Sequence, residues 1–178
     1  MYIINIPEML EEWGNKDWAA PMAFIEEMVD MVALTDGPIV ECGSGVTTLL
    51  LDKLCDDRPV HTLEHDRKWH KKIVNEVDHV RVHLTPIVDY GEYQWYKVPK
   101  ALPDNIGLMV CDGPPGHIGR YGAVPQLRDK MAPDCIILMD DGWRESEVME
   151  QWRKQFGITY RIDNQGRGIG HAMFGTLV

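Results

Sequence analysis

The chain has 178 residues, 44% hydrophobic and 26% charged, and its 28 acids against 18 Lys and Arg give a formal charge of −10. That length and balance fit one soluble domain with a sizeable core, and an acidic field of this size makes a nucleic-acid partner unfavourable. No apolar run approaches the roughly 18 residues of a membrane span and no secretory leader precedes the first helix, so no membrane association and a cytoplasmic setting are expected.

Residues 1–36 read as a helical cover, with Pro7 and Pro21 as helix starts or breaks and Phe24, Ile25, Met28, Val32 and Ala33 at helical spacing. Asp36-Gly37-Pro38 is a turn, and residues 37–178 form the core of the same single domain. The pattern there predicts a strand over 39–42, a helix over 46–55, a strand over 60–64, a helix from an Asp66 cap through Trp69, Ile73, Val74 and Val77, and a strand over 80–84. This alternation implies a parallel sheet with right-handed crossovers.

The long connection over 85–105 carries Tyr90, Tyr93, Trp95 and Tyr96, and Pro99 and Pro103 forbid a regular helix near its end. It reads equally as a functional loop or as a surface loop stapled by its rings. Strands over 106–111 and 135–139, a helix over 145–156, and a hairpin of strands 158–162 and 171–174 complete the pattern. The cysteines Cys42, Cys55, Cys111 and Cys135 lack metal-ligand spacing and read as reduced thiols.

The chemistry starts at Ile39-Val40-Glu41-Cys42-Gly43-Ser44-Gly45-Val46-Thr47-Thr48, a strand, a tight turn and a helix. Gly43 and Gly45 let a ligand lie against the backbone, facing the N–H groups of the helix start. This is a nucleotide-shaped site at the carboxyl edge of a parallel sheet. Thr48 stands where the dinucleotide fingerprint wants its third glycine, and no phosphate-loop motif occurs, which argues against NAD and nucleoside triphosphates. Glu64, at the end of the second strand, can accept both hydroxyls of a ribose.

Over residues 37–175 the chain resembles the class I S-adenosylmethionine-dependent methyltransferases, in a small bacterial or phage-type branch. The residues that carry the resemblance are Glu41 to Thr48, Glu64-His65-Asp66, Trp69, Asp112-Gly113-Pro114-Pro115-Gly116, Arg120-Tyr121, and Asp140-Asp141-Gly142-Trp143-Arg144 with Glu147 and Trp152. It implies an α/β, Rossmann-like, doubly wound sheet of seven strands, mainly parallel with an antiparallel C-terminal strand, and helices on both faces. It implies S-adenosyl-L-methionine as cofactor, bound by Glu41, Gly43, Ser44, Gly45, Thr47, Glu64, His65 and Asp112. Glu41 either braces the loop or reaches the methionine amino group, Asp66 suits a helix cap, and His65 lies next to the adenosine or is simply solvated. Trp13 and Trp18 either line a substrate mouth or pack.

Asp112 is expected beside the transferred methyl, where it can contact the sulfonium end, bind a metal or act as a base. Asp112, Asp140 and Asp141 look like the divalent-metal triad of O-methyltransferases, which suits Mg2+; otherwise one of Asp140 and Asp141 caps the next helix while the other pairs with Arg144. His117 is a second candidate catalytic base, and Arg120 either binds an acidic substrate group or braces the loop. The implied activity is O-methylation of a small-molecule hydroxyl. An amino methyltransferase acting on nucleic acid or protein fits less well, because Gly113 and Gly116 replace the acid or amide and the aromatic ring of the base-flipping motif. A non-catalytic nucleotide-binding domain is the reading from another class. Homo-oligomerisation is left open.

Overall fold

Strands that are apolar on both sides need cover on both faces, and helices between them supply it. The computed structural model describes residues 5–14 and 20–175, so the expectation for Trp18 lies outside the described residues. In chain order the elements are α1 (Ile6–Trp13), α2 (Met22–Leu34), β1 (Ile39–Cys42), α3 (Val46–Leu54), β2 (Val60–Glu64), α4 (Arg67–Val74), β3 (Arg81–Leu84), β4 (Ile87–Asp89), β5 (Gln94–Tyr96), β6 (Ile106–Cys111), α5 (Ala123–Leu127), β7 (Met131–Met139), α6 (Ser146–Phe156), β8 (Ile158–Asp163) and β9 (Ile169–Phe174).

Seven strands form one sheet in the order β3-β2-β1-β6-β7-β9-β8. β1, β2, β3, β6 and β7 are parallel, and β9 runs antiparallel to both its neighbours. This is the Rossmann-like doubly wound sheet expected. The chain winds outward from β1 to β3 and then returns to lay β6 on the other side of β1, so the switch point lies between the carboxyl ends of β1 and β6.

Side chains alternate along β6 into two cores. Leu108 and Val110 join Phe24, Ile25 and Met28 of α2 and Leu50 and Leu51 of α3, while Met109 and Cys111 join Trp95, Tyr96, Leu127 and Trp152 on the other face. Pro21 stands immediately before α2, with no side-chain cap, and Asp66 caps α4 by accepting from the Lys68 and Trp69 amides at 2.8 Å each. Asp52 does work no sequence pattern announced: its carboxylate accepts from the amides of Asp78, His79 and Val80 at 2.7–3.1 Å and so fixes the entry to β3.

Three stretches differ from expectation. The 85–105 connection contains a two-stranded antiparallel hairpin, β4 with β5, whose last residues Trp95 and Tyr96 are fully buried. α5 is a five-residue helix in a stretch for which the sequence pattern predicted no element. β7 starts at Met131, four residues before the apolar run, and its register against β6 is irregular there. All four cysteines are free and buried. No helix among the described residues is long and apolar enough to cross a membrane.

Candidate active site

The glycine loop after β1 is held by two carboxylates from below and beside it. Glu41, fully buried, accepts from the hydroxyls of Thr47 at 2.5 Å, Thr48 at 2.7 Å and Thr62 at 2.7 Å. Thr48 in turn accepts from the Gly45 amide at 2.9 Å, which explains a threonine where a dinucleotide site has glycine. Of the two readings of Glu41, its observed contacts are those of the brace. Glu64 accepts from the Ser44 amide at 3.0 Å and hydroxyl at 2.7 Å, and from the Asp66 amide at 2.7 Å. The Trp69 indole donates to the Ser44 carbonyl, and Trp13 packs edge-on against Trp69 at 5.5 Å, which ties the N-terminal cover to the loop.

Burial drives the Glu41 carboxyl up to about 7, partly offset by the three threonine hydroxyls and reinforced by the charge of Glu64. The unfolded chain releases that proton near 4.5, so between 4.5 and about 7 the native state holds more protons and its stability falls as pH rises. The loss is on the order of 3 kcal/mol, complete above about pH 7. Glu41→Gln is therefore expected to flatten stability across that window, read as urea midpoints at pH 4.5, 6 and 8; an unchanged slope would assign the pH dependence elsewhere.

The loop meets its neighbour backbone to backbone. Gly43 has φ 85, and a Cβ there would lie 3.0 Å from Gly113 Cα; a Cβ on Gly113 would lie 2.8 Å from Gly43 Cα and 2.6 Å from the Tyr96 hydroxyl. No side chain fits this seam, so the glycine loop and the Asp112 loop sit in contact, with a cis Gly113–Pro114 peptide in the second. Gly45 differs: its φ of 179 is open to any residue, and a Cβ there would meet nothing within 4 Å, so the outer side of the loop has room for a ligand.

Asp112, Asp140 and Asp141 gather on the same rim, as expected, but three guanidiniums gather with them. Arg120, 2% exposed, donates to the carbonyls of Asp140 at 2.6 Å, Asp112 at 2.7 Å and Cys111 at 3.1 Å, and to Asp112 Oδ1 at 3.3 Å. Its Nη2 also lies 3.8 Å from Asp141, and its Nε lies 4.0 Å from Glu145. Arg167 pairs with Asp140 and Asp141 at 2.9 Å each, and Arg144 pairs with Asp141 at 2.7 Å and Glu145 at 2.9 Å. Asp141 has φ 54, a left-handed conformation that aspartate tolerates, and the turn that follows it pairs with the 164–170 loop that carries Arg167, the Gly142 amide donating to the Gly168 carbonyl at 2.7 Å.

This arrangement does not support the metal expectation. Magnesium wants several free oxygen ligands around one point. Here the carboxylates are paired with arginines, and no group of three His, Cys, Asp or Glu side chains among the described residues could hold an ion. The pairing of Asp141 with Arg144 was the other reading; no side chain caps α6.

Exposure separates the three acids. Asp112 keeps 26% of its side chain exposed, against 2% for Asp140 and 9% for Asp141, so it is the most accessible of the three. Burial pushes its carboxyl up to about 8; Arg120 opposes the rise, while Asp140, through charge and a shared hydrogen bond, and Asp141 add to it. His117 is exposed and has no hydrogen-bond partner among the described residues, so nothing orients it as a base. His65 stays beside Glu64, with Nδ1 3.2 Å from Oε1. Arg167 and Tyr96 are the rim residues that sequence reading missed: the first lies in a glycine-rich stretch with no periodicity, the second in the aromatic connection whose role was left open.

No family profile and no curated protein matches the chain. Solved structures do. An S-adenosylhomocysteine-bound methyltransferase of Podospora anserina superposes with a TM-score of 0.73 at 16% identity, over 98% of this chain and 89% of that one. A Staphylococcus aureus protein assigned as a caffeoyl-CoA O-methyltransferase gives 0.71 at 12%, over 97% and 93%. A Bacillus cereus O-methyltransferase in complex with S-adenosylhomocysteine gives 0.65 at 13%, over 96% and 90%. At such identities the likeness is one of architecture: the chain has the Rossmann-like fold of the S-adenosylmethionine-dependent methyltransferases.

Proposed function

We propose that the chain is an S-adenosylmethionine-dependent methyltransferase that methylates a hydroxyl of a small-molecule acceptor, with Asp112 as its base. One observation carries this reading. The glycine loop of β1, with Glu41 and Glu64 on it, abuts the Asp112 loop of β6, so a donor site and an ionisable carboxyl share one edge.

Bound there, S-adenosylmethionine supplies a methyl group already activated on a sulfonium. Gly43, Ser44, Gly45 and Thr47 would hold it through their backbone on the open side of Gly45. Glu64 would turn toward the ribose as the Ser44 hydroxyl, which is free to rotate, releases it; His65 stands next to that position. Asp112, ionising near 8, suits a base that takes a hydroxyl proton near neutral pH. Arg120 fixes the Asp112 backbone and side chain, and alignment of acceptor and donor supplies much of the remaining rate. Because Asp140 and Asp141 are held by Arg167 and Arg144, this reading assigns acceptor activation to Asp112.

Calorimetric titration with S-adenosylmethionine and S-adenosylhomocysteine, with NAD as control and repeated in EDTA, tests the reading. Micromolar binding of the first two, none of NAD, and no effect of EDTA is the expected result. Folded protein that binds neither in either buffer would overturn it in favour of a non-catalytic domain.

A further inference from the structure

At the carboxyl edge, besides Arg120 Nε, two buried polar atoms have no hydrogen-bond partner among the described residues: the Tyr96 hydroxyl and His65 Nδ1, the latter close to Glu64 but not aligned with it. Their rings are edge-to-face, with centroids 6.0 Å apart. Leaving a buried O–H unmade costs free energy, and native proteins seldom accept that cost without a use for it.

The placement of Tyr96 is built, not incidental. The β4–β5 hairpin sets Tyr96 opposite Ile87, and Tyr90 donates its hydroxyl to the Tyr96 carbonyl at 3.2 Å. Trp95, ring centroid 5.3 Å from that of Tyr96, is clamped against Gly122, where a Cβ would lie 2.4 Å from the indole. The hairpin thus drives a fully buried phenol toward the seam between Gly43 and Gly113, its oxygen 2.6 Å from where a Gly113 Cβ would be. Burial above all holds this hydroxyl in its neutral form; the charges of Glu64 and Asp112 act in the same sense and that of Arg120 against them.

A neutral hydroxyl in the field of two acids is poorly suited to an anion and can accept from a cationic N–H donor. We propose that the Tyr96 hydroxyl is a ligand-binding group that accepts a hydrogen bond from the α-ammonium of the methyl donor, with Asp112 and Glu64 offsetting that charge. The phenol proton is then free to turn to either carboxylate. This rests on the donor assigned under Proposed function, and it adds a binding residue that lies outside the glycine loop and after β3.

The test compares wild type and Tyr96→Phe by calorimetry with two probes, S-adenosylhomocysteine, which carries the ammonium, and 5′-methylthioadenosine, which lacks the amino-acid part. The variant is expected to bind the first about tenfold more weakly and the second unchanged. Its ligand-free melting temperature should equal or exceed that of wild type, because an unpartnered hydroxyl has been removed. Unchanged affinity for S-adenosylhomocysteine, equal weakening for both probes, or a lower melting temperature would each overturn the proposal and make the hydroxyl structural. Wild type that binds neither probe would instead remove the donor reading, and this proposal with it.

Discussion

Replacing Asp112 with asparagine should lower the methyl-transfer rate by about 10²–10⁴-fold, the range spanned by a positioned general base. The fold should survive. Asparagine is isosteric, and the shorter contact from Arg120 to this residue goes to its backbone carbonyl, at 2.7 Å, not to its carboxyl, at 3.3 Å. The pH profile is the sharper readout. A base works when ionised, so the wild-type rate should climb through about pH 8 and then level, while the residual rate of the variant should be flat over the same range. Stability moves the opposite way. The folded protein keeps a proton that the unfolded chain gives up near 3.8, so this carboxyl lowers stability progressively as pH rises from there through about 8, and the asparagine variant lacks that decline. Turnover measured against pH, with near-ultraviolet circular dichroism as the check on folding, decides it. A variant with a normal rate and a normal alkaline limb would take Asp112 out of the mechanism.

The sheet was legible because its signals are local. Ile39 to Cys42, Val60 to Glu64 and Ile106 to Cys111 are short runs buried on both faces, each closed by a glycine, an acid or both, and their observed limits match those runs. The start of β7 was not legible because Pro133 stands in it. Proline removes a ladder donor and argues against a strand, and the protein accommodates it where the pairing shifts register between Ile106 and Leu108. The β4–β5 hairpin escaped because three-residue strands carry too little alternation to register, and its rings promised contact without saying with what.

In the site, the acids could be read but not their partners. Asp112, Asp140 and Asp141 end two adjacent strands, which topology alone brings together. Whether such a cluster takes a metal or a guanidinium depends on Arg167, which reaches it from 27 positions away in sequence through a loop of glycines. Nothing in the local pattern marks that reach. Gly142 and Gly168 instead permit it by close approach: a Cβ on Gly142 would lie 3.1 Å from the Gly168 carbonyl carbon, which leaves room for the turn but for no side chain.

Arg120 is where the largest loss of stability is expected. It is 2% exposed, and its guanidinium joins the ends of β6 and β7 by donating to the carbonyls of Cys111, Asp112 and Asp140. The Cys111 carbonyl also accepts from the Asp140 amide at 3.0 Å, but those of Asp112 and Asp140 lie past the ladder, and with the arginine gone they would lose that donor. The same guanidinium is the cation nearest the centre of four acids, Asp112, Asp140, Asp141 and Glu145; the other two arginines approach from outside, with 48% of the Arg144 side chain and 52% of the Arg167 side chain exposed. Removing one partner of a buried charge cluster costs about 3–5 kcal/mol, because the charge left behind is uncompensated. For a chain of this length each kcal/mol is worth about 2–4 °C, so Arg120→Met should melt about 6–20 °C below wild type. Lysine should recover little of this. Its single ammonium cannot donate in one plane to three carbonyls and a carboxylate, as the guanidinium fork does. The loss should be smaller in acid, where protonated carboxyls no longer repel one another, and melting curves of the methionine variant at pH 5 and pH 8 would reveal that. Equal deficits at both pH values would trace the cost to the carbonyls, and no deficit at either would mean that the rim holds together through Arg144 and Arg167.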